Sequence, residues 1–291
     1  MIVLVQLLIK YALLVPFGVA MALSDFGFLL LVLSTLCIAS AGNIINDIYD
    51  VETDMVNKPD RVIIGKTISE KTANTLFIVL NILGVGIGFY VSNLIGKNGF
   101  FAIFVIISVL LYIYASYLKQ IFVVGNLVIS ILVALSLLIV GLFELLPMIT
   151  PENQATQLAV FKIILDYAVF AFLINLVREI AKDIEDINGD YKARMNTLPI
   201  AIGRERATNV LFATSLVPII AVIYYMVTYL YKQPIAVVYF LLCIVAPLIY
   251  IAIRSFNAES RKHFHHISSM LKLVMLFGML SLLIYRYIIF S

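Results

Sequence analysis

The chain alternates long apolar runs with short polar interruptions, and the runs have the length of lipid-crossing helices. A crossing of the hydrocarbon layer takes about 20 mostly apolar residues. Runs of that kind lie at 3–24, 27–46, 71–93, 99–118, 121–144, 158–181, 207–231, 234–253 and 267–290. The pattern predicts an all-α membrane protein: nine transmembrane helices in one bundle, a single domain over 1–291. Lys10 interrupts the first run, so it either snorkels to the interface or leaves residues 1–9 lying along it. No basic segment precedes that run and no cleavage site follows it, so a signal peptide is not expected. Pro16, Pro218 and Pro247 fall inside spans, where neighbouring helices would support kinks. "GVGIG" at Gly84–Gly88 has the small-residue spacing of close helix packing. Glu144, near the outer end of the fifth span, is expected at the interface.

Composition strengthens this picture. Of 291 residues, 63% are hydrophobic and 13% charged, and the mean hydropathy of +1.07 excludes an ordinary soluble core. Cys37 and Cys243 both lie inside spans, so no disulfide is expected. The placement of charge says more than the net +3. With nine spans, the loops after the second, fourth, sixth and eighth share one side. That side holds Lys58, Arg61, Lys66, Lys71, Lys119, Arg178, Lys182, Lys192, Arg194, Arg204, Arg206, Arg254, Arg261 and Lys262. The other holds Lys97, Lys162, Lys232 and Arg286. The positive-inside rule puts the basic face and the N-terminus in the cytoplasm and the C-terminus outside, as for a multi-pass cell-membrane protein.

Two acidic segments lie on that face. "DIYDVETD" carries Asp47, Asp50 and Asp54; "DIEDINGD" carries Asp183, Asp186 and Asp190, each 136 residues after its counterpart. The constant offset suggests a parallel internal repeat. On a helix at about 100° per residue, steps of three and seven put the carboxylates of a triplet within about 60° of arc. Like charges at that spacing repel, and the negative end of the helix dipole adds to the cost. Hard divalent cations resolve the repulsion, and Mg2+ leaves positions open for substrate phosphates. Lys58 and Arg61 follow the first triplet, Arg178 and Lys182 lead into the second, and Lys119 ends the fourth span on the same face; cations beside carboxylates suit a diphosphate bridged by metal. The active site is therefore expected between the cytoplasmic ends of the second and sixth spans.

"GNIINDIYDVETDMVNKPDR" at Gly42–Arg61 and "REIAKDIEDINGD" at Arg178–Asp190 resemble the two signatures of the UbiA-type intramembrane prenyltransferases. "YASYLK", with "GN" at Gly125–Asn126, is similar to a third segment of that family. The resemblance implies a nine-helix bundle whose motifs bind Mg2+ and a prenyl diphosphate. Asn43, Asn46, Asp47, Asp50 and Asp54 would form one half of the metal site, and Asp183, Asp186 and Asp190 the other. Lys58, Arg61, Lys119, Arg178 and Lys182 would hold phosphate oxygens beside Asn43 and Asn46. Tyr114 would face the allylic cation, since an aromatic face stabilises positive charge. "KDIEDINGD" and "NTLPIAIGRERA" resemble most the digeranylgeranylglyceryl phosphate synthases, prenyltransferases that join a geranylgeranyl group to geranylgeranylglyceryl phosphate. That group usually has glycine where Arg194 stands, and "RPI" where this chain has "RVI" at Arg61–Ile63. Arg204, with Arg206, would then reach the acceptor headgroup. Quinone-type prenyltransferases, with an aromatic acceptor, are the nearest alternative.

The partners implied are a prenyl diphosphate donor, a lipid-like acceptor and membrane lipids; no nucleic acid is expected, and the sequence leaves the oligomeric state open. A divalent-cation transporter is the competing class. It would place ionisable groups near the midplane, whereas these carboxylates gather on one face among cations that would repel a permeating ion. "HFHH" at His263–His266 has no standard zinc spacing and is read as a loop segment.

Overall fold

Serine caps start two of the long helices: the Ser24 hydroxyl accepts from the Gly27 amide, and Ser69 from that of Thr72. The computed structural model describes residues 1–285, and among them regular structure is helical apart from a single bridge between Ile64 and Ile68. The elements are α1 Ile2–Phe17, α2 Asp25–Tyr49, α3 Val51–Asn57, α4 Glu70–Leu94, α5 Asn98–Ser116 and α6 Val124–Met148. They continue with α7 Gln154–Lys192, α8 Leu198–Ile202, α9 Arg204–Leu230, α10 Pro234–Phe256 and α11 Arg261–Tyr285.

Eight of these are long and apolar enough to cross a membrane; α1, the first of the nine expected spans, is a shorter apolar helix. The end of the last expected span, with Arg286, lies outside the described residues. α2 packs along α4, and the contact explains Gly84, the first glycine of "GVGIG". The Ser34 hydroxyl donates to the Gly84 carbonyl at 2.6 Å, and a β-carbon at Gly84 would lie 2.6 Å from Ile38. Gly88 admits the ring of Phe104. The prolines act as expected in part: Pro218 sits inside α9, while π turns at Ile9–Leu14 and Leu241–Val245 run up to Pro16 and Pro247. A proline leaves an upstream carbonyl without its usual donor, and a π turn re-registers the backbone there.

Lys10 and Glu144 depart from expectation. Both side chains are buried within the bundle rather than extended from it, and Lys10 also lies 3.7 Å from the exposed Asp25. Lys10 and Glu144 are 2% and 0% exposed and form an ion pair at 2.9 Å. The Lys10 ammonium also donates to the Leu23 carbonyl and lies 4.5 Å from the centre of the Phe28 ring. Glu144 accepts from the Leu23 amide at 3.0 Å. Each charge is buried because the other is there, and the pair ties α1 and α6 to the entry of α2.

Candidate active site

The first aspartate triplet is divided between two helices. Asp47 lies in the last turn of α2, Asp50 at a joint with φ −93° and ψ 0°, and Asp54 in α3. The joint is a kink rather than a break, because the Asp50 amide still donates to Asn46 and the Asp54 amide to Asp50. Its cause is the docking of α3 on α7. The Asn57 side chain donates to the Asp186 carbonyl at 2.9 Å and accepts from the Gly189 amide at 3.1 Å. Gly189 has to be glycine for this approach: a β-carbon would collide with the Asn57 amide and lie 2.7 Å from the Thr53 carbonyl. The second triplet needs no such joint. It sits on a continuous 39-residue helix, about 58 Å long, nearly twice the thickness of the hydrocarbon layer.

Asp50, Asp54, Asp183, Asp186 and Asp190 line one chamber of about 100 Å³, with Tyr114, Lys119, Lys182, Asn46 and Asn126. An adjoining cavity of about 300 Å³ shares Asp50, Asp54 and Asp186 and adds Asp47, Lys58 and Arg61. The two triplets thus face a common space. Lys58 binds Asp186 and Lys119 binds Asp50, each at 2.5 Å. Asn46 donates to the other Asp50 oxygen, Asn126 to Asp183 at 2.8 Å, and Thr197 to Asp190 at 3.1 Å. Burial, then the Asp50 carboxylate, push the Asp54 carboxyl above its ordinary value, with Lys58 pulling the other way. Lys119 reaches Asp50 through another close backbone contact. A β-carbon on Gly125 would lie 2.7 Å from the Lys119 Cα, which accounts for the "GN" of the third segment.

Arg178, Asn43 and Arg204 line neither aspartate cavity, while Lys182 lines both. Arg178 and Lys182 both bind Glu179, at 2.7 and 2.9 Å, so a carboxylate absent from the sequence reading organises them. The signal was available: Glu179 stands three residues before Lys182, a helix pairing distance. Arg178 and Asn43 line a third cavity, of about 510 Å³ and largely apolar, between α1, α2, α6, α7, α9, α10 and α11. Lys272, also unforeseen, lines it too. Arg204 lines none of these three; its guanidinium lies over the Phe264 ring at 5.7 Å.

The donor set suits a hard divalent ion. Carboxylate oxygens from two sides converge on one chamber, and Asp186 Oδ1 is buried without a hydrogen-bond donor. Among the described residues no three carboxylate, histidine or cysteine groups are gathered tightly enough to hold an ion as they stand. Lys58 and Lys119 instead neutralise Asp186 and Asp50.

The protein is thus an apolar helical bundle with two aspartate triplets around two adjoining cavities. The chain belongs to the UbiA prenyltransferase family, whose sequence profile matches residues 12–287. It is 34% identical to the digeranylgeranylglyceryl phosphate synthase of Methanosphaera stadtmanae, over 86% of each chain. Its fold is that of a solved digeranylgeranylglyceryl phosphate synthase structure, with a TM-score of 0.61 at 23% identity over 98% and 97% of the two chains. A UbiA homologue from Archaeoglobus fulgidus bound to DMAPP and Mg2+ shares the fold with a TM-score of 0.54, at 17% identity over 97% and 96%.

Proposed function

We propose that this protein is a Mg2+-dependent prenyltransferase. It moves a geranylgeranyl group from geranylgeranyl diphosphate to the free hydroxyl of geranylgeranylglyceryl phosphate, forming the second ether bond of an archaeal-type membrane lipid. The observation that carries the reading is the pair of aspartate triplets around two adjoining cavities that share Asp50, Asp54 and Asp186, in a chain whose relative over 86% of its length is a digeranylgeranylglyceryl phosphate synthase. The Archaeoglobus homologue bound to DMAPP and Mg2+ supports the donor class and the metal.

Asp47, Asp50, Asp54, Asp183, Asp186 and Asp190 would hold the metal, with Asn46 orienting Asp50. The chemistry Mg2+ supplies when bound is withdrawal of charge from the diphosphate oxygens, which makes diphosphate a better leaving group. Lys58 and Lys119 exchange their aspartate partners for phosphate oxygens, and Arg61 joins from the adjoining cavity. The allylic C–O bond breaks with its electron pair on diphosphate. The acceptor oxygen then bonds to carbon, and its proton passes to a carboxylate or to diphosphate. Tyr114 lines the chamber and presents an aromatic face to the positive carbon. The chamber opens to the cytoplasm, in accord with the basic loops. Diphosphate release from the two substrates should require Mg2+ or Mn2+; full turnover in excess EDTA contradicts the reading.

A further inference from the structure

Among the described residues, three lysines line the aspartate cavities, and each is bound to a carboxylate. Lys58 pairs with Asp186, Lys119 with Asp50 and Lys182 with Glu179. The first two partners are members of the triplets. Glu179 is not, and among the described residues it is the one carboxylate lining either cavity that stands outside them. It precedes Asp183 by four residues, one turn back along α7. Its side chain is 8% exposed, and both of its oxygens are engaged. Oε1 accepts from Arg178 Nη1 at 2.7 Å, and Oε2 accepts from Lys182 Nζ at 2.9 Å. A seventh carboxylate thus faces a chamber that has to hold an anion, and its oxygens are already taken by two cations. Negative charge there repels the diphosphate that the lysines attract. A group that weakens the hold on a ligand is useful where that ligand has to leave, and product release limits many enzymes.

We infer that Glu179 is a positioning residue for the release of diphosphate, acting through Lys182. The inference deepens the proposed function and rests on it for the reaction that forms the diphosphate. When the triplets turn to Mg2+, Asp186 and Asp50 leave Lys58 and Lys119 to the phosphate oxygens. Lys182 keeps its own partner throughout, because Glu179 is outside the metal set. Its charge is held in the chamber wall and balanced there, so its grip on diphosphate stays weak enough to break once transfer is complete. Arg178 secures the other Glu179 oxygen and keeps the carboxylate from turning away from Lys182. Without Glu179, Lys182 would close on the diphosphate, and the product would stay.

The test uses the full chain in detergent, as wild type, Glu179→Asp and Glu179→Gln. Binding of inorganic pyrophosphate is measured by calorimetry, first without metal and then with Mg2+. Glu179→Gln keeps the size of the side chain and removes its charge. It should bind pyrophosphate at least about tenfold more tightly than wild type under both conditions. Glu179→Asp keeps the charge and should stay within about threefold of wild type. In turnover, Glu179→Gln should lower kcat and the KM for geranylgeranyl diphosphate together, by about tenfold, with stronger inhibition by added pyrophosphate. A purely structural carboxylate gives the opposite pattern, lost stability with weaker pyrophosphate binding. Should Glu179→Gln not fold, Glu179→Gln with Arg178→Gln preserves the local net charge, leaves Lys182 unpaired and carries the same expectation. The inference is overturned if pyrophosphate binds these variants no more tightly than wild type, even where transfer to geranylgeranylglyceryl phosphate proceeds. Tighter binding in a protein that prenylates aromatic acceptors alone would uphold the role of Glu179 and remove the proposed acceptor.

Discussion

Arg194 has a left-handed backbone, with φ of 55°, at the position where the resemblance leads one to expect glycine. A side chain there costs about 1–2 kcal/mol in β-carbon contacts that glycine does not make, partly offset by the freedom glycine adds to the unfolded chain. Arg194→Gly should therefore raise the thermal midpoint without loss of activity, and an unchanged or lower midpoint would show that the side chain compensates the strain. Asp54 carries a different tension. Its carboxyl is pushed up, so the ionised form is less stable in the fold than in the open chain, and the deficit is present above the unfolded value of about 3.9. It vanishes as pH falls and the group protonates. Asp54→Asn should thus hold or raise stability at neutral pH while removing most of the activity and of the stabilisation by Mg2+ and diphosphate. Near-normal turnover would exclude Asp54 from the site. The gathering of the six aspartates around two adjoining cavities was legible in the sequence because they repeat with matched spacing. Glu179 was signalled only by its three-residue step to Lys182, and Lys272 by nothing, since a single charge in an apolar helix has no spacing to report which cavity it faces.

At the scale of elements, α3 places Asp54 by leaning on Gly189. Gly189→Ala puts a β-carbon against the Asn57 amide and the Thr53 carbonyl, and the backbone part of that contact cannot rotate away. Activity should fall at least about tenfold with a lower thermal midpoint, as expected for overpacking worth about 1–3 kcal/mol; wild-type activity would mean that α3 does not set the aspartates. The apolar period was enough to find the spans, and matched spacing was enough to read the second triplet as one helix face. It could not reveal the joint at Asp50, because the kink comes from a tertiary contact between Asn57 and α7, 129 and 132 residues away. The Lys10–Glu144 pair was hidden for the same reason, its members being 134 residues apart. Lys10→Met alone leaves Glu144 buried and unpaired, a loss of about 3–5 kcal/mol. Lys10→Met with Glu144→Gln should recover much of it in a double-mutant cycle, and additive losses would deny the coupling.

At the scale of the whole molecule, the aspartate cavities and the apolar cavity belong to a multi-pass membrane enzyme. The sidedness of its charge is an expectation from the loops alone. The neighbourhood of a carboxylate chamber and an apolar cavity needed coordinates, because it depends on how α7 and α11 meet. Labelling of single cysteines in sealed vesicles should place positions 58, 120, 192 and 262 on the cytoplasmic side and 97, 152 and 232 on the other; a split within the first four would break the topology. The most direct test of the account is product analysis. Purified protein is given geranylgeranyl diphosphate and Mg2+, with geranylgeranylglyceryl phosphate, 4-hydroxybenzoate and homogentisate offered together. The account predicts digeranylgeranylglyceryl phosphate, an ether, as the product. An exclusively C-prenylated aromatic product would contradict it.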